Sequence, residues 1–233
     1  MSVAIILAAG SGRRMQKMGW QKPKCLLRIA GKSLLDRALE ALNQCGVRKR
    51  VIVAGYQHEV LRESCRGASV GFVLNPQYAS TNTLHSLWLA RSHFDDPTII
   101  LNADLVFDVR ILERLLALER DAIAVAQHPC GPEEVKVVCD HGRVTRIGKD
   151  VPVDCAAGES IGLAALHAPA AGALADFLDR RQKTPGGSQL YYETALNDLL
   201  ARHFVLDAPI GDLPAIEIDT PEDYQLAQSL WPQ

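Results

Sequence analysis

The chain opens with an unbroken apolar run, Val3-Ala-Ile-Ile-Leu7, which gives way to glycines and cations: Gly10, Gly12, Arg13, Arg14, Lys17, Lys22 and Lys24. The run reads as a buried strand. A plain surface loop after it needs neither this glycine spacing nor this many cations, so the arrangement points to an anionic ligand. Further on, Ser33 precedes Leu34-Leu35, Ala38-Leu39 and Ala41-Leu42, a helical period closed by Gly46. A strand is predicted at Val51 to Ala54, a helix from Gln57 to Cys65, and a strand from Val70 to Leu74. Thr81 to Arg91 sets Leu84, Leu87, Trp88 and Ala90 on one helical face. Thr98 to Leu101 is a buried strand, followed by a helix through Ile111, Leu112, Leu115 and Leu116.

Strand–helix alternation of this kind predicts a three-layer, mostly parallel mixed sheet in an α/β fold. After residue 122 the pattern changes. Ala122 to Gln127, Val135 to Val138 and Val144 to Ile147 are strand candidates, and Asp140-His141-Gly142 reads as a hairpin turn between the last two. Helices return near Ala170 to Arg181 and Leu190 to Arg202, and Thr220-Pro221 caps a final one. Thr184 to Ser188 is the only segment that reads as loose. With no repeat, low-complexity tract or linker, one domain over 1–233 is expected, divided at about residue 120.

Composition narrows the class. Hydrophobic residues make up 48% and charged residues 22%, as in an ordinary globule, and the formal net charge is −2. No global field then draws the chain to nucleic acid or an anionic membrane. The local cations around Arg14 and Lys24 gain weight by contrast. Six dispersed cysteines form no C-x-x-C pair, so neither a zinc site nor a disulfide framework is indicated, and free thiols suit a reducing cytosol. Without a leader-like start or a run of membrane-spanning length, a cytoplasmic protein with no membrane insertion is expected.

Two familiar phosphate motifs fail. Gly31-Lys32-Ser33 resembles the end of a P-loop, but Leu26 stands where its first glycine belongs; Met15 likewise stands where the dinucleotide fingerprint needs a third glycine. No H-x-G-H occurs among the seven histidines, which excludes the cytidylyltransferase class built on that motif.

Leu7-Ala8-Ala9-Gly10-x-Gly12-x-Arg14-Met15, followed by Pro23-Lys24 and Gly31-Lys32-Ser33-Leu34-Leu35, resembles the signature of nucleotidyltransferases that activate phosphorylated substrates. These include the sugar-1-phosphate, molybdenum-cofactor and phosphocholine types. The resemblance implies a Rossmann-like nucleotide-diphospho-sugar transferase (GT-A type) fold, with a nucleotide-binding half over about 1–120 and an acceptor-binding half over about 121–233. The physical logic agrees: glycines at 10 and 12 let backbone N–H groups approach a triphosphate. Arg14 can clamp the β/γ-phosphates as a bidentate fork, and Lys24 can neutralise charge building at the α-phosphate.

Asn102-Ala-Asp104 ends a strand where open parallel sheets hold their ligands, and Glu217-Ile-Asp219 precedes the last helix. Residues two apart on a strand share a face, so Glu217 and Asp219 can converge on one ion. Hard oxygen ligands beside a nucleotide suggest Mg²⁺, and the resemblance implies Asp104, Glu217 and Asp219 as its ligands. Asn75-Pro-x-Tyr78-x-x-x-Asn82-Thr83-Leu84 is similar to a segment that approaches base, ribose and acceptor in the phosphocholine-type cytidylyltransferases; a turn and helix cap is its plain alternative. Glu134-Val-Lys136, Ile147-x-Lys149, Glu159-Ser-Ile-Gly162 and Tyr191-Tyr192-Glu193 follow in that branch's order. Lys136 and Lys149 are candidates for the acceptor phosphate, each with an alternative as a surface strand lysine.

Tyr191, Tyr192 and Glu193, after the loose loop, are read as a cage for an ammonium group; Tyr192 could instead belong with Ala195 and Leu196 on a core face. The expected reaction moves CMP from CTP to phosphocholine, phosphoethanolamine or an aminoalkylphosphonate and releases pyrophosphate. The expected partners are CTP and that small phosphorylated or phosphonate substrate, with homodimerisation open. A sugar-1-phosphate nucleotidyltransferase and a non-catalytic nucleotide-binding protein are the alternatives.

Overall fold

A computed structural model describes residues 2–16 and 19–232. Lys17 of the cationic cluster lies outside the described residues. In chain order the strands are β1 Val3–Ala8, β2 Arg28–Ile29, β3 Lys32–Ser33, β4 Lys49–Ala54, β5 Gly71–Leu74, β6 Thr98–Asn102 and β7 Leu105–Phe107. They continue with β8 Ala122–Ala126, β9 Lys136–Asp140, β10 Arg143–Gly148, β11 Gly158–Leu166, β12 Leu206–Pro209 and β13 Ala215–Glu217. The helices are α1 Arg13–Gln16, α2 Leu34–Gln44, α3 His58–Ser64, α4 Thr83–Ala90, α5 Val109–Ala117, α6 Ala168–Gln182, α7 Glu193–Leu200 and α8 Pro221–Leu230.

Among the described residues, nine strands form one sheet in the order β5-β4-β1-β6-β11-β8-β12-β10-β9. Its first four strands are parallel, as the alternation requires, with Leu7 opposite Val53 on one side and Asn102 on the other. Beyond β6 the sheet is mainly antiparallel, β12 pairing parallel to β8. The period of β1 divides the core in two. Ala4, Ile6 and Ala8 face α2 and α5, whereas Val3 and Ile5 face α4, α6 and α7, which makes the three layers.

Local signals set several boundaries. Ser33 caps α2 and Thr220 caps α8, each in a capping box with an Asp three residues on. The β9–β10 hairpin turns on His141 and Gly142, with φ +46° and +77°, the positive pair that a two-residue hairpin turn takes.

Two expectations need correction. β11, GESIGLAAL, is a central strand that apolar periodicity does not reveal, because its glycines and alanines carry no alternation. The loop Thr184 to Ser188 is not loose: Asn82 N–H donates to Ser188 O at 2.8 Å, Leu84 N–H to Leu190 O at 3.1 Å, and Gly187 lies against Arg181 O.

Candidate active site

The site begins where β1 ends. Gly12, at φ +59°, turns the chain into α1 and lies so close to Lys24 that an added Cβ would come 3.1 Å from Lys24 Cβ. Met15 is buried among Leu27, Ile29, Leu34 and Ile218, which anchors the loop from below. Leu7, Ala8, Ala9, Gly10, Gly12, Lys24, Asn75, Asn82 and Thr83 all line one cavity with Asn102 and Asp104. Of the nucleotide-binding candidates only Arg14 is outside it.

The roles of the polar wall differ. Asn75 is buried and spends its amide on the protein, donating to Thr81 Oγ1 and Ser86 Oγ at 3.1 Å each while its oxygen accepts from Gln77 N–H. Asn82 caps α4, and Thr83 Oγ1 accepts from Tyr192 N–H at 3.0 Å. These groups shape the cavity. Asn102 Oδ1, by contrast, is buried without a partner.

Three carboxylates approach from two directions. The β7–β13 ribbon pairs Leu105 with Glu217, and Ile218 N–H donates to Asp104 O, which brings Asp104 beside Glu217-Ile-Asp219. Ile218 is buried on the opposite side, and Asp223 accepts from the Asp219 and Thr220 amides to fix the turn. Lys24 Nζ sits between Asp104 and Asp219, 2.5 Å from the latter. Burial pulls Lys24 towards neutrality, but the two carboxylates outweigh it and hold its pKa well above the ordinary lysine value. Burial opposes charge on Asp219 too, yet Lys24, Arg14 and Lys149 keep its pKa low.

The expected three-carboxylate metal set is therefore revised. Glu217 is turned aside to accept from Asn102 Nδ2 at 2.7 Å, and burial, reinforced by Asp104, raises its pKa. Gly162, at φ +73°, packs on this pair so tightly that a Cβ would come 2.4 Å from Asn102 Nδ2 and 2.6 Å from Glu217 Oε1. Among the described residues no three His, Cys, Asp or Glu side chains are grouped to hold a metal. Asp104 and Asp219 alone suit a hard divalent ion, since Mg²⁺ takes one or two carboxylates and completes its shell with phosphates and water.

On the far side of Asp219 lies a larger groove of about 680 Å³, lined by Arg14, His128, Glu133, Glu134, Lys149, Glu159, Glu217 and Asp219 among others. Arg14 faces Asp219 at 3.4 Å and Glu133 at 3.8 Å. Glu159 pairs with His128 at 3.2 Å; burial and Glu134 raise its pKa, and His128 works against them. Lys136 needs correction as a ligand for the acceptor phosphate. It is fully buried, and its ammonium donates to the carbonyls of Gly131, Pro132 and Glu134, so it braces the loop before β9. Lys149 instead lines the groove, with Nζ 5.8 Å from the centre of the Tyr191 ring. The expected aromatic cage also fails in part: Tyr192 is buried among Ala195, Leu196 and Leu199 and presents no free face.

The model of one known family, the MobA-like NTP transferase domain, matches residues 4–184, which hold the glycine loop, Lys24 and Asp104. The chain belongs to this family. The CMP-5'-(3-aminopropyl)phosphonate synthase of Streptomyces rubellomurinus is 31% identical over 96% of this chain, which spans 38% of that relative's length. The choline-phosphate cytidylyltransferase of Streptococcus pneumoniae is 26% identical over 97% of both chains. The solved structure of the CTP:phosphocholine cytidylyltransferase from Streptococcus pneumoniae superposes with a TM-score of 0.84, covering 98% of each chain at 25% identity. No helix among the described residues is long and apolar enough to cross a membrane.

Sequence reasoning quoted Asn102, Glu134 and Gly162 without giving them a role, and passed over His128. A carboxamide two residues before Asp104 at a strand end was the one local signal available. The Glu159–His128 and Gly162–Glu217 contacts depend on strand pairings that periodicity does not encode.

Proposed function

We propose that the chain transfers CMP from CTP to a small acceptor bearing a phosphate or phosphonate and releases pyrophosphate, with Mg²⁺ held by Asp104 and Asp219. The observation that carries this reading is Lys24 between those two aspartates, of which Asp104 lines the glycine-lined cavity and Asp219 the larger groove that also holds Arg14 and Lys149. The nucleotide occupies the first, with its triphosphate on the amides around Gly10 and Gly12, so the part before about residue 120 serves the nucleotide. The acceptor enters the second, its phosphate on Lys149.

The acceptor oxygen is already anionic, so no general base is needed; the task is to hold two anions in line and stabilise charge at the α-phosphoryl. Lys24 supplies that charge with most of its side chain out of water, where it acts strongly (14% exposed). Asp104 and Asp219 would hold Mg²⁺, which would supply Lewis-acid stabilisation of negative charge on the phosphates. Arg14, the most exposed cation of the set, is free to swing from Asp219 and Glu133 onto the departing phosphates.

The nucleotide preference leans on relatives named as cytidylyltransferases. Crossing the four nucleoside triphosphates with phosphocholine, phosphoethanolamine, 2-aminoethylphosphonate and glucose-1-phosphate, read by pyrophosphate release, tests it. CTP with an aminated acceptor is the expected pair; turnover confined to UTP or GTP with the sugar phosphate would replace this reading.

A further inference from the structure

The head of the acceptor can be specified further, on the footing that the acceptor is a phosphorylated or phosphonate amine. A quaternary ammonium carries no N–H and is recognised through the faces of aromatic rings. A primary ammonium has three donors and pairs with carboxylate by charge-assisted hydrogen bonds. The two classes demand different walls, and this chain has one of them.

Among the described residues a box of several aromatic faces is absent: a single ring, Tyr191, lines the cavity that holds Glu193. No Phe, Tyr or Trp lines the groove among the described residues. Tyr192 is buried in the core, and the Tyr191 ring already carries a cation, Lys149. The wall shared by the groove and the neighbouring cavity is Val135 and Lys149. That second cavity, about 270 Å³, is lined by Lys149, Tyr191 and Glu193. Glu193 is only 8% exposed, and its Oε2 is buried without any partner. Burial holds its carboxyl up at about 7, with a hydrogen bond from its own backbone N–H, and then Lys149, pulling the other way. A buried acceptor oxygen left unpaired costs free energy that a donor from the ligand returns.

We infer that the acceptor carries a primary ammonium which docks on Glu193 Oε2 while its phosphate or phosphonate sits on Lys149, and that the site discriminates against a trimethylammonium. Lys149 and Glu193 line one cavity and carry opposite charges when Glu193 is ionised, which suits a zwitterion whose two charges are a few bonds apart. Methylation of the nitrogen removes the donors one by one and enlarges the head, and no aromatic box compensates.

The test is a methylation series at saturating CTP: phosphoethanolamine, its N-methyl and N,N-dimethyl derivatives, and phosphocholine, with propyl phosphate as the uncharged isostere. In the wild type kcat/KM should fall at least about tenfold from no methyls to three, carried by KM, because a charge-assisted hydrogen bond is lost. Glu193→Gln should flatten the series, losing about tenfold on phosphoethanolamine and little on phosphocholine. A kcat/KM that rises with methylation, or a series left unchanged by Glu193→Gln, overturns the inference while leaving the aminated-acceptor reading intact. Turnover of glucose-1-phosphate with none of the four amines overturns both. Isothermal titration of the same five compounds in the presence of a non-hydrolysable CTP analogue should reproduce the order without relying on catalysis, and a flat order there also overturns it.

Discussion

The two sides of the cleft are built by different means. On the side proposed for the nucleotide, parallel strands end in a row and offer backbone: the glycine turn at 10–12, the small residues Ala8, Ala9 and Ala103, and helix α4 behind them. On the acceptor side, antiparallel strands offer side chains brought together from distant parts of the chain, such as Glu159 with His128 and Glu217 with Asn102. A site made of backbone recognises what all nucleotides share, a triphosphate. A site made of paired side chains can be retuned one residue at a time, which suits the variable partner. Lys24 belongs to both, because its aspartates come one from each side.

The boundary itself should be the most sensitive point. Lys24→Ala and Asp104→Ala are each expected to lower kcat by about 10²–10³-fold or more, with far-UV circular dichroism unchanged, because they act on charge that grows in the transition state. Near-normal kcat in Lys24→Ala would remove the shared residue and with it the comparison. Gly162→Ala strikes where the two sides meet, because Asn102 lines the first cavity and Glu217 the groove. Its Cβ would strike the Asn102–Glu217 pair in a backbone conformation that alanine adopts poorly, so a loss of about 1–3 kcal/mol is expected in urea titration. An unshifted midpoint would mean that the pair has room to give.

Smaller effects sharpen the division. Lys149→Ala should raise the acceptor KM about tenfold and leave the KM for CTP unchanged, whereas Lys136→Ala should lower thermal stability through the loop it braces. If Lys136→Ala alone raised the acceptor KM, the two lysines would exchange roles. The smallest expected effect is on stability against pH. Glu193 titrates at about 7 when folded and near 4.3 when unfolded. Between those values the folded state holds the extra proton, so this group's contribution falls as pH rises from about 4 to 7. Glu193→Gln should therefore be more stable than wild type above pH 7 and similar to it at pH 4, measured as Tm in paired buffers. Equal pH slopes for the two proteins would contradict a carboxyl whose pKa is raised by burial.

The same contrast governs what could be read in the sequence. The nucleotide side was legible because its parts are contiguous: the run Val3 to Leu7, the glycines and Lys24 lie within one stretch, and helix α2 announces itself by Ser33 and its apolar period. Even the turn at His141-Gly142 is local. The acceptor side was not. Strand β11 holds Glu159 and Gly162 in a run of small residues with no alternation, and it joins β6 to β8 across the middle of the sheet. In the sequence Lys136 is a candidate ligand because Glu134-Val-Lys136 follows the order of the resembled branch; its ammonium instead goes to three carbonyls of the preceding loop. Glu217 and Asp219 share a face of the chain, yet β13 ends at Glu217 and the turn beyond it sends the two carboxylates to different partners.

The most direct measurement is mass spectrometry of the product formed from CTP and phosphoethanolamine with and without Mg²⁺, for wild type and Lys24→Ala. The expected result is a CMP ester of the intact acceptor together with an equal amount of pyrophosphate, dependent on the metal and lost in the variant. A product carrying UMP or GMP in competition with CTP, or full ester formation in excess EDTA, would contradict the account.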